Sequence, residues 1–257
     1  MSTQNSAPAF IQAEALAALL TSAAGRVDVH VLPECDSTNL QLLQMAKAGA
    51  PSGTLLLAER QTAGRGRRGR SWFQGQNSLA FSLLWRLPEQ RSASGLSLAV
   101  GVALAEALDP QTQLKWPNDV LLDGRKVAGI LIESAGPQCF VIGIGINLGA
   151  MDDLPQELTA QATGITTHLS PVAALAKVLD ALIAALDLFA AQGFIALQTR
   201  WQQRHAYQDL AVNLFFSEGS EPVQGVCRGV DQNGELLLET ATCLQTISSG
   251  EVSLRLQ

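Results

Sequence analysis

Between Gly64 and Arg70 the chain reads Gly-Arg-Gly-Arg-Arg-Gly-Arg, and with Arg60 this gathers five guanidinium groups in one short stretch of a chain whose net charge is -6. A glycine-rich loop bearing several arginines can close over a phosphate-type anion. Glycine lets the backbone approach, arginine supplies charge-assisted and often bidentate hydrogen bonds, and the closed loop keeps water from a reactive intermediate. The same residues also read as a solvated basic loop or a nucleic-acid contact, and from this stretch alone the two readings stand level. Gly64–Gly69 formally matches G-x-G-x-x-G, but a dinucleotide-binding turn must open a helix, whereas Arg70-Ser-Trp-Phe-Gln-Gly-Gln-Asn77 leads into another strand. The Gly-Lys-Ser/Thr ending of a P-loop is absent.

The loop must be held by a core, and 257 residues with a 47% hydrophobic and 16% charged share are enough for a sizeable one and a small second domain. No apolar run reaches the roughly 18 residues that span a bilayer, and Met1 to Phe10 carries no basic leader, so the chain is expected to be unexported, cytoplasmic and free of membrane. Cys35, Cys139, Cys227 and Cys243 contain no C-x-x-C pair, and His30, His168 and His205 form no ligand pattern with them, so neither a disulfide framework nor a zinc site is indicated.

Residues 11–24 read as one Ala- and Leu-rich helix and Val27–Leu32 as a strand. Asp36-Ser-Thr-Asn39 opens a helix that runs to Ala48, and Thr54–Glu59 is a buried strand. Residues 60–76 are a loop. Asn77–Arg86 is a strand with Leu79, Phe81, Leu83 and Trp85 on one face, and Ser94–Leu108 is a helix. Strands at Val120–Leu122, Lys126–Glu133 and Cys139–Ile146 follow closely, the first two joined by an Asp123-Gly124 hairpin signal. Strands without intervening helices argue for antiparallel pairing, hence an α+β fold on a mixed, mostly antiparallel sheet. Pro171–Gln192 and Phe194–Tyr207 read as helices. After Tyr207 come short strands at Leu210–Phe216, Gly225–Val230, Glu235–Glu239 and Val252–Leu256, with a turn signal at Asn233-Gly234, suiting a small β-barrel. The expected division is 1–207 and 208–257.

Five segments then stand in order: Asp36-Ser-Thr-Asn39, Gln61 to Arg70, Leu114-Lys-Trp-Pro-Asn-Asp119, Lys126-Val-Ala-Gly-Ile-Leu-Ile-Glu133 and Gly143-Ile-Gly-Ile-Asn147. This series resembles that of the biotin-protein ligases, from about Asp36 to the C-terminus. The resemblance implies a class II synthetase-like catalytic domain followed by an SH3-like barrel. It also implies an ATP- and Mg²⁺-dependent activation of biotin to biotinyl-AMP, and transfer to a lysine of the biotin carboxyl carrier protein of acetyl-CoA carboxylase.

Joining two anions requires positive charge and positioning. Lys115, after a strand and before Trp116-Pro117, is the leading candidate for that role, against an edge-strand lysine beside Trp116. By resemblance Ser37, Thr38, Asn39 and Gln61 line the biotin pocket, although hydroxyls at a helix start usually cap it. Arg67 is assigned to the phosphate, Arg65 and Gly66 to the carboxylate end, and Arg70, Trp72, Asn118 and Asn147 to the nucleotide. Trp72 reads equally as a core residue. Asn118, Asp119 and Asn147 are candidates for Mg²⁺ or ribose, against turn formation and strand-end hydrogen bonding, and the metal ligands stay unassigned. Gly129, Gly143 and Gly145 either let a ligand approach the backbone or mark bulges.

About 35 residues precede Asp36, too few for a supported recognition helix, so an enzyme without DNA binding is expected. Two other readings stay open: a lipoate- or octanoate-protein ligase, with the same adenylate logic, and a nucleic-acid module stacking bases on Trp72 and Phe73. A sheet edge is expected to serve the carrier, a homodimer, or both.

Overall fold

The computed structural model describes residues 11–216, 221–248 and 253–256. Strand alternation organises it. In β3 (Ser78–Arg86) and β7 (Cys139–Asn147), Leu79, Phe81, Leu83, Ile142, Ile144 and Ile146 all fall on one face and are buried. That face joins one apolar cluster with Leu98, Val102 and Leu104 of α3 (Leu96–Leu108) and Leu179, Leu182, Ile183 and Leu186 of α4 (Pro171–Gln192). Pro171 at the first turn of α4, with Ser170 accepting from the Ala173 N–H, starts that helix where the sequence places it.

The main sheet has the order β1-β2-β3-β7-β6-β5-β4, adding β1 (Asp28–Cys35), β2 (Thr54–Gln61), β4 (Gln113–Lys115), β5 (Asp119–Leu122) and β6 (Arg125–Gly136). Only β1 and β2 pair in parallel; the other pairs are antiparallel, as the close spacing of strands predicts. Asp123 and Gly124 turn β5 into β6 with φ of +50° and +74°, the geometry a two-residue hairpin needs. On the sheet's other face lies α2 (Thr38–Lys47), whose Leu42 packs on Leu56, Leu84 and Val141. A second antiparallel sheet follows α5 (Ile195–Gln202): β8 (Ala211–Phe215), β9 (Val223–Val230), β10 (Leu236–Glu239), β11 (Leu244–Ile247) and β12 (Ser253–Leu256), ordered β11-β10-β9-β8-β12. Among the described residues these strands form one five-stranded antiparallel sheet, with no pairing recorded between β11 and β12.

Three expectations give way to tertiary contacts. The first helix, α1, spans only Ala13–Ala17, because the Asp180 carboxylate of α4 takes the N–H groups of Thr21 (2.9 Å) and Ala23 (2.8 Å) and the Thr21 hydroxyl (2.7 Å), drawing the chain into turns. The helix expected to reach Tyr207 stops at Gln202. Beyond it, Leu114 N–H donates to the Arg204 carbonyl (2.7 Å) and Ala206 N–H to the Leu114 carbonyl (2.9 Å), so the segment pairs with β4. Strand β11, not foreseen, is four residues long and half polar, too short for alternation to show. No helix among the described residues is long and apolar enough to cross a membrane.

Candidate active site

The face of β3, β7 and β6 turned away from α3 carries small residues. Ala80 stands opposite Gly145, Ser82 opposite Gly143, and Gly129 opposite Gly145 on the far side, so three strands contribute a shallow floor. A Cβ on Gly143 would lie 2.0 Å from Asn39 Oδ1 and one on Gly145 2.3 Å from the Trp72 ring. At Gly143 and Gly145 side chains approach the backbone closely, and the register shift between β6 and β7 falls beyond Ser134.

One end of the floor is polar. Ser37 occupies the N-cap of α2 but makes no side-chain capping bond. The Asp36 carboxylate takes the Ser37 N–H (2.6 Å) and the Gln41 side chain (2.8 Å), and these bonds, Gln41's first, hold the Asp36 pKa below the usual carboxylate range. The Ser37 hydroxyl is thereby left to the cavity it lines. Gln61 Oε1 accepts from the Thr38 N–H (2.8 Å) and hydroxyl (3.1 Å), leaving the amide NH₂ as a donor for a ligand. Asn39 Nδ2 donates to Glu133 (2.9 Å) and the Leu131 carbonyl (3.2 Å), while its oxygen accepts from Ser82 (2.6 Å). Buried polar groups bonded this completely are fixed in place.

The other end is cationic. Arg67 lies half-buried, its Nη1 3.4 Å from Asn118 Oδ1; burial and then Arg68 lower its pKa, against Asp119. Lys126 Nζ sits 2.5 Å from Asp119 Oδ1 and 5.6 Å from the Trp72 ring centroid, whereas Arg65 pairs at 3.1 Å with Glu133, beside Asn39 at the polar end. Trp72 lies over the floor, and its Nε1, though buried, meets no hydrogen-bond partner among the described residues. The free volume is about 60 Å³, bounded on one side by Trp72 and by Arg65, Gly66 and Arg67 of the loop.

Ser37, Thr38, Asn39, Gln61, Arg65, Gly66, Arg67, Trp72 and Asn118 all line this cavity. Lys115, Arg70 and Asn147 stand outside its wall. Lys115 is on β4, 5.7 Å from the Tyr207 ring centroid; burial lowers its pKa, Asp119 opposes, and Lys126, Arg255 and Arg70 reinforce the lowering. Arg70 is exposed, its carbonyl accepting the Gly66 N–H (2.7 Å). Asn147 is 3% exposed, with its oxygen 3.1 Å from the Ser78 hydroxyl and its nitrogen 3.3 Å from the Thr163 carbonyl, the strand-end bonding open to it from the start.

Three residues enter that sequence reasoning did not single out: Lys126, Ser82 and Glu133. Ser82 and Glu133 follow from alternation once the glycines fix the ligand face. Lys126 does not. Strict alternation from Gly129 would turn it to the α3 side, but Leu121 pairs with Lys126 and Val120 with Ala128, so Val127 is an extra residue, buried beside Ala128 in the core. The bulge re-aims Lys126 into the cavity.

Residues 31–147 match the biotin/lipoate A/B protein ligase family, and residues 214–255 match the biotin protein ligase C terminal domain. The bifunctional ligase/repressor BirA of Salmonella typhimurium is 40% identical over 245 residues, covering 89% of this chain and 74% of that protein. The biotin--[acetyl-CoA-carboxylase] ligase of Paracoccus denitrificans is 36% identical, covering 86% of this chain and 98% of its own length. Among solved structures, the biotin protein ligase from Aquifex aeolicus in complex with biotin and ATP superposes with a TM-score of 0.79 at 32% identity, covering 90% of this chain and 99% of that one. With this fold and this arrangement of glycine floor and cationic loop, the chain belongs to the biotin/lipoate A/B protein ligase family.

Proposed function

We propose that the chain is a biotin-protein ligase, which activates biotin with ATP and transfers it to a lysine of the biotin carboxyl carrier protein of acetyl-CoA carboxylase. The observation that carries this reading is a glycine floor with bonded amides and hydroxyls at one end and Arg67 with Lys126 at the other. The ureido ring of biotin at the polar end would offer two N–H donors and a carbonyl acceptor to Ser37, Thr38, Asn39 and Gln61, with Ser82 holding Thr38 and Asn39 from behind. Left unpaired, those buried groups would oppose binding. The valeryl chain would run over Gly143, Gly145 and Gly129, bringing the carboxylate to the cations. Arg65 and Gly66 are assigned to the carboxylate, although Arg65 here pairs with Glu133 beside Asn39 at the polar end and must leave it to reach the other.

In the first step a carboxylate oxygen attacks the α-phosphorus of ATP and pyrophosphate leaves. Arg67, Lys126 and, two strands further, Lys115 make the meeting of two anions tolerable and stabilise the charge on the phosphoryl oxygens. Arg70, Trp72, Asn118 and Asn147 are assigned to the nucleotide. Trp72 gains a partner for its orphaned Nε1 or turns its face to the base. In the second step the carrier's lysine amine attacks the anhydride carbonyl, AMP leaves, and the amide nitrogen loses its proton. The closed loop keeps water from competing. A neighbouring cleft of about 260 Å³, bounded by Arg67, Ser94, Ser97, Trp116, Asn118 and Ile132, shares Arg67 and Asn118 with the cavity.

The candidate metal ligands fit a cation poorly: Asp119 is paired with Lys126 and both ends of the Asn147 amide are engaged. Mg²⁺ is therefore assigned to the phosphates of ATP, with which it enters. For the carrier, β6 offers an edge: β5 pairs with it only as far as Gly129, so its last residues can add a strand from the carrier or a second copy of this chain. Three of the loop arginines have partners within the chain, Arg65 with Glu133, Arg67 with Asn118 and Arg68 with the Phe216 carbonyl, which supports an enzyme over a nucleic-acid module. The four cysteines are free, in keeping with a cytoplasmic protein. We assign residues 1–207 to catalysis and 208–257 to an accessory domain.

Acid-dependent ATP–pyrophosphate exchange, with biotin, lipoate and octanoate at equal concentration, tests the reading. Exchange with biotin alone is expected. Exchange with lipoate or octanoate would move the chain to the sister activity, and salt-sensitive oligonucleotide binding without exchange would overturn the enzyme reading.

A further inference from the structure

Three consecutive residues, Leu114, Lys115 and Trp116, are each held by chain that comes after α5. The Leu114 backbone is bonded on both sides by the linker, from its N–H to the Arg204 carbonyl (2.7 Å) and from the Ala206 N–H to its carbonyl (2.9 Å). The buried Trp116 donates its Nε1 proton to the Gly234 carbonyl (3.1 Å), in the turn between β9 and β10. Between them, Lys115 Nζ stands 5.7 Å from the ring centroid of Tyr207, the chain's single tyrosine, in the linker that leads into β8.

The electrostatics around Lys115 leave a task for that ring. The charged groups facing the ammonium are Asp119 on β5, Lys126 on β6, Arg70 in the loop and Arg255 on β12. The one carboxylate among them is bonded to Lys126 at 2.5 Å, and the other three are cations. A half-buried ammonium in that company loses solvation and is repelled, both of which favour its neutral form. An aromatic face attracts a cation without introducing a carboxylate that would compete with the substrate phosphates.

We infer that Tyr207 is a positioning residue for Lys115: its ring face holds the ammonium charged and aimed from β4 toward the phosphoryl group, coupling the small sheet to the first half-reaction. This rests on Lys115 acting in adenylation, so the test separates the two. Biotin-dependent pyrophosphate exchange is measured from pH 6 to pH 10 in the full chain and in Tyr207→Phe, Tyr207→Leu, Tyr207→Trp, Lys115→Arg and Lys115→Met. Tyr207→Phe keeps the face and should stay within about twofold of the parent. Tyr207→Leu should lose about tenfold in kcat/KM at pH 8. Its alkaline limb should also move about one pH unit lower, because without the ring the ammonium gives up its proton more easily. Tyr207→Trp, the variant to use should the leucine form fail to fold, should move the limb upward, and Lys115→Arg should remove it. If Lys115→Met exchanges like the parent, the assignment of Lys115 falls and this inference with it. If Lys115→Met is inactive while the leucine, phenylalanine and tryptophan variants share one limb and one rate, Tyr207 is only structural and the inference alone is wrong.

Discussion

The two faces of β3 and β7 are made by alternate residues of the same strands, yet they do opposite work. Toward α3 and α4 stand Leu79, Phe81, Leu83, Ile142, Ile144 and Ile146, and their burial holds the molecule together. One residue along, and on the other side, stand Ala80, Ser82, Gly143 and Gly145, which bury almost nothing of their own and admit Asn39 and Trp72 to the backbone. A protein can thus place a ligand against the backbone of its best-anchored strands, because stability on one face does not depend on side chains on the other.

The comparison can be broken by finding either face doing the other's work. The largest effect is expected at Phe81, fully buried on the packed face: Phe81→Ala should lower stability to urea by about 3–5 kcal/mol while leaving the KM for biotin within about twofold. A large change in KM with little loss of stability would refute the division.

His205 extends the packed side to the junction between the sheets. It is 6% exposed, its ring centroid 4.5 Å from that of Trp201 and tilted 39° to it, with Nε2 3.7 Å from Cys227 Sγ, and burial pushes its pKa from 6.5 down to about 4. The folded state holds this ring neutral while the unfolded chain protonates below pH 6.5. Its contribution is therefore complete above pH 6.5 and is lost as the pH falls toward 4, by about 3 kcal/mol in all. Unfolding free energies measured across that range should fall more steeply for the parent than for His205→Leu; parallel curves would contradict this. On the ligand face, Gly145→Val drives a side chain into Trp72 and should cost about 100-fold in biotin-dependent exchange, equivalent to ~2.7 kcal/mol, with little change in melting temperature. Normal exchange would mean the floor is not where biotin lies.

Much of this was legible in the sequence for physical reasons. The apolar alternation of β3, the proline at the start of α4 and the Asp-Gly turn each act locally, so local reading finds them. The order of motifs pointed to Ser37, Thr38, Asn39, Gln61 and the arginine loop, which the fold brings to one cavity. What escaped depends on distant chain. Lys126 reaches the cavity through a bulge defined by pairing with β5, so counting residues along β6 misplaces it. Lys115 was read as the leading cation, yet it stands outside the cavity wall under Tyr207, because β4 takes its last neighbour from a linker 90 residues later. The short α1 likewise answers to Asp180 of α4, which no window of local sequence contains.

The most direct test uses two adjacent residues that point opposite ways, Ile142 and Gly143, with biotin binding followed by calorimetry and stability by urea unfolding. Ile142→Ala should lose about 2–5 kcal/mol of stability and bind biotin as the parent does. Gly143→Val should lose biotin binding, because its side chain takes the place of Asn39, and should lose about 1–3 kcal/mol of stability as the buried bonds of Asn39 to Ser82, Glu133 and Leu131 are broken. If Gly143→Val binds biotin normally, the glycine floor is not the ligand site and the account is wrong.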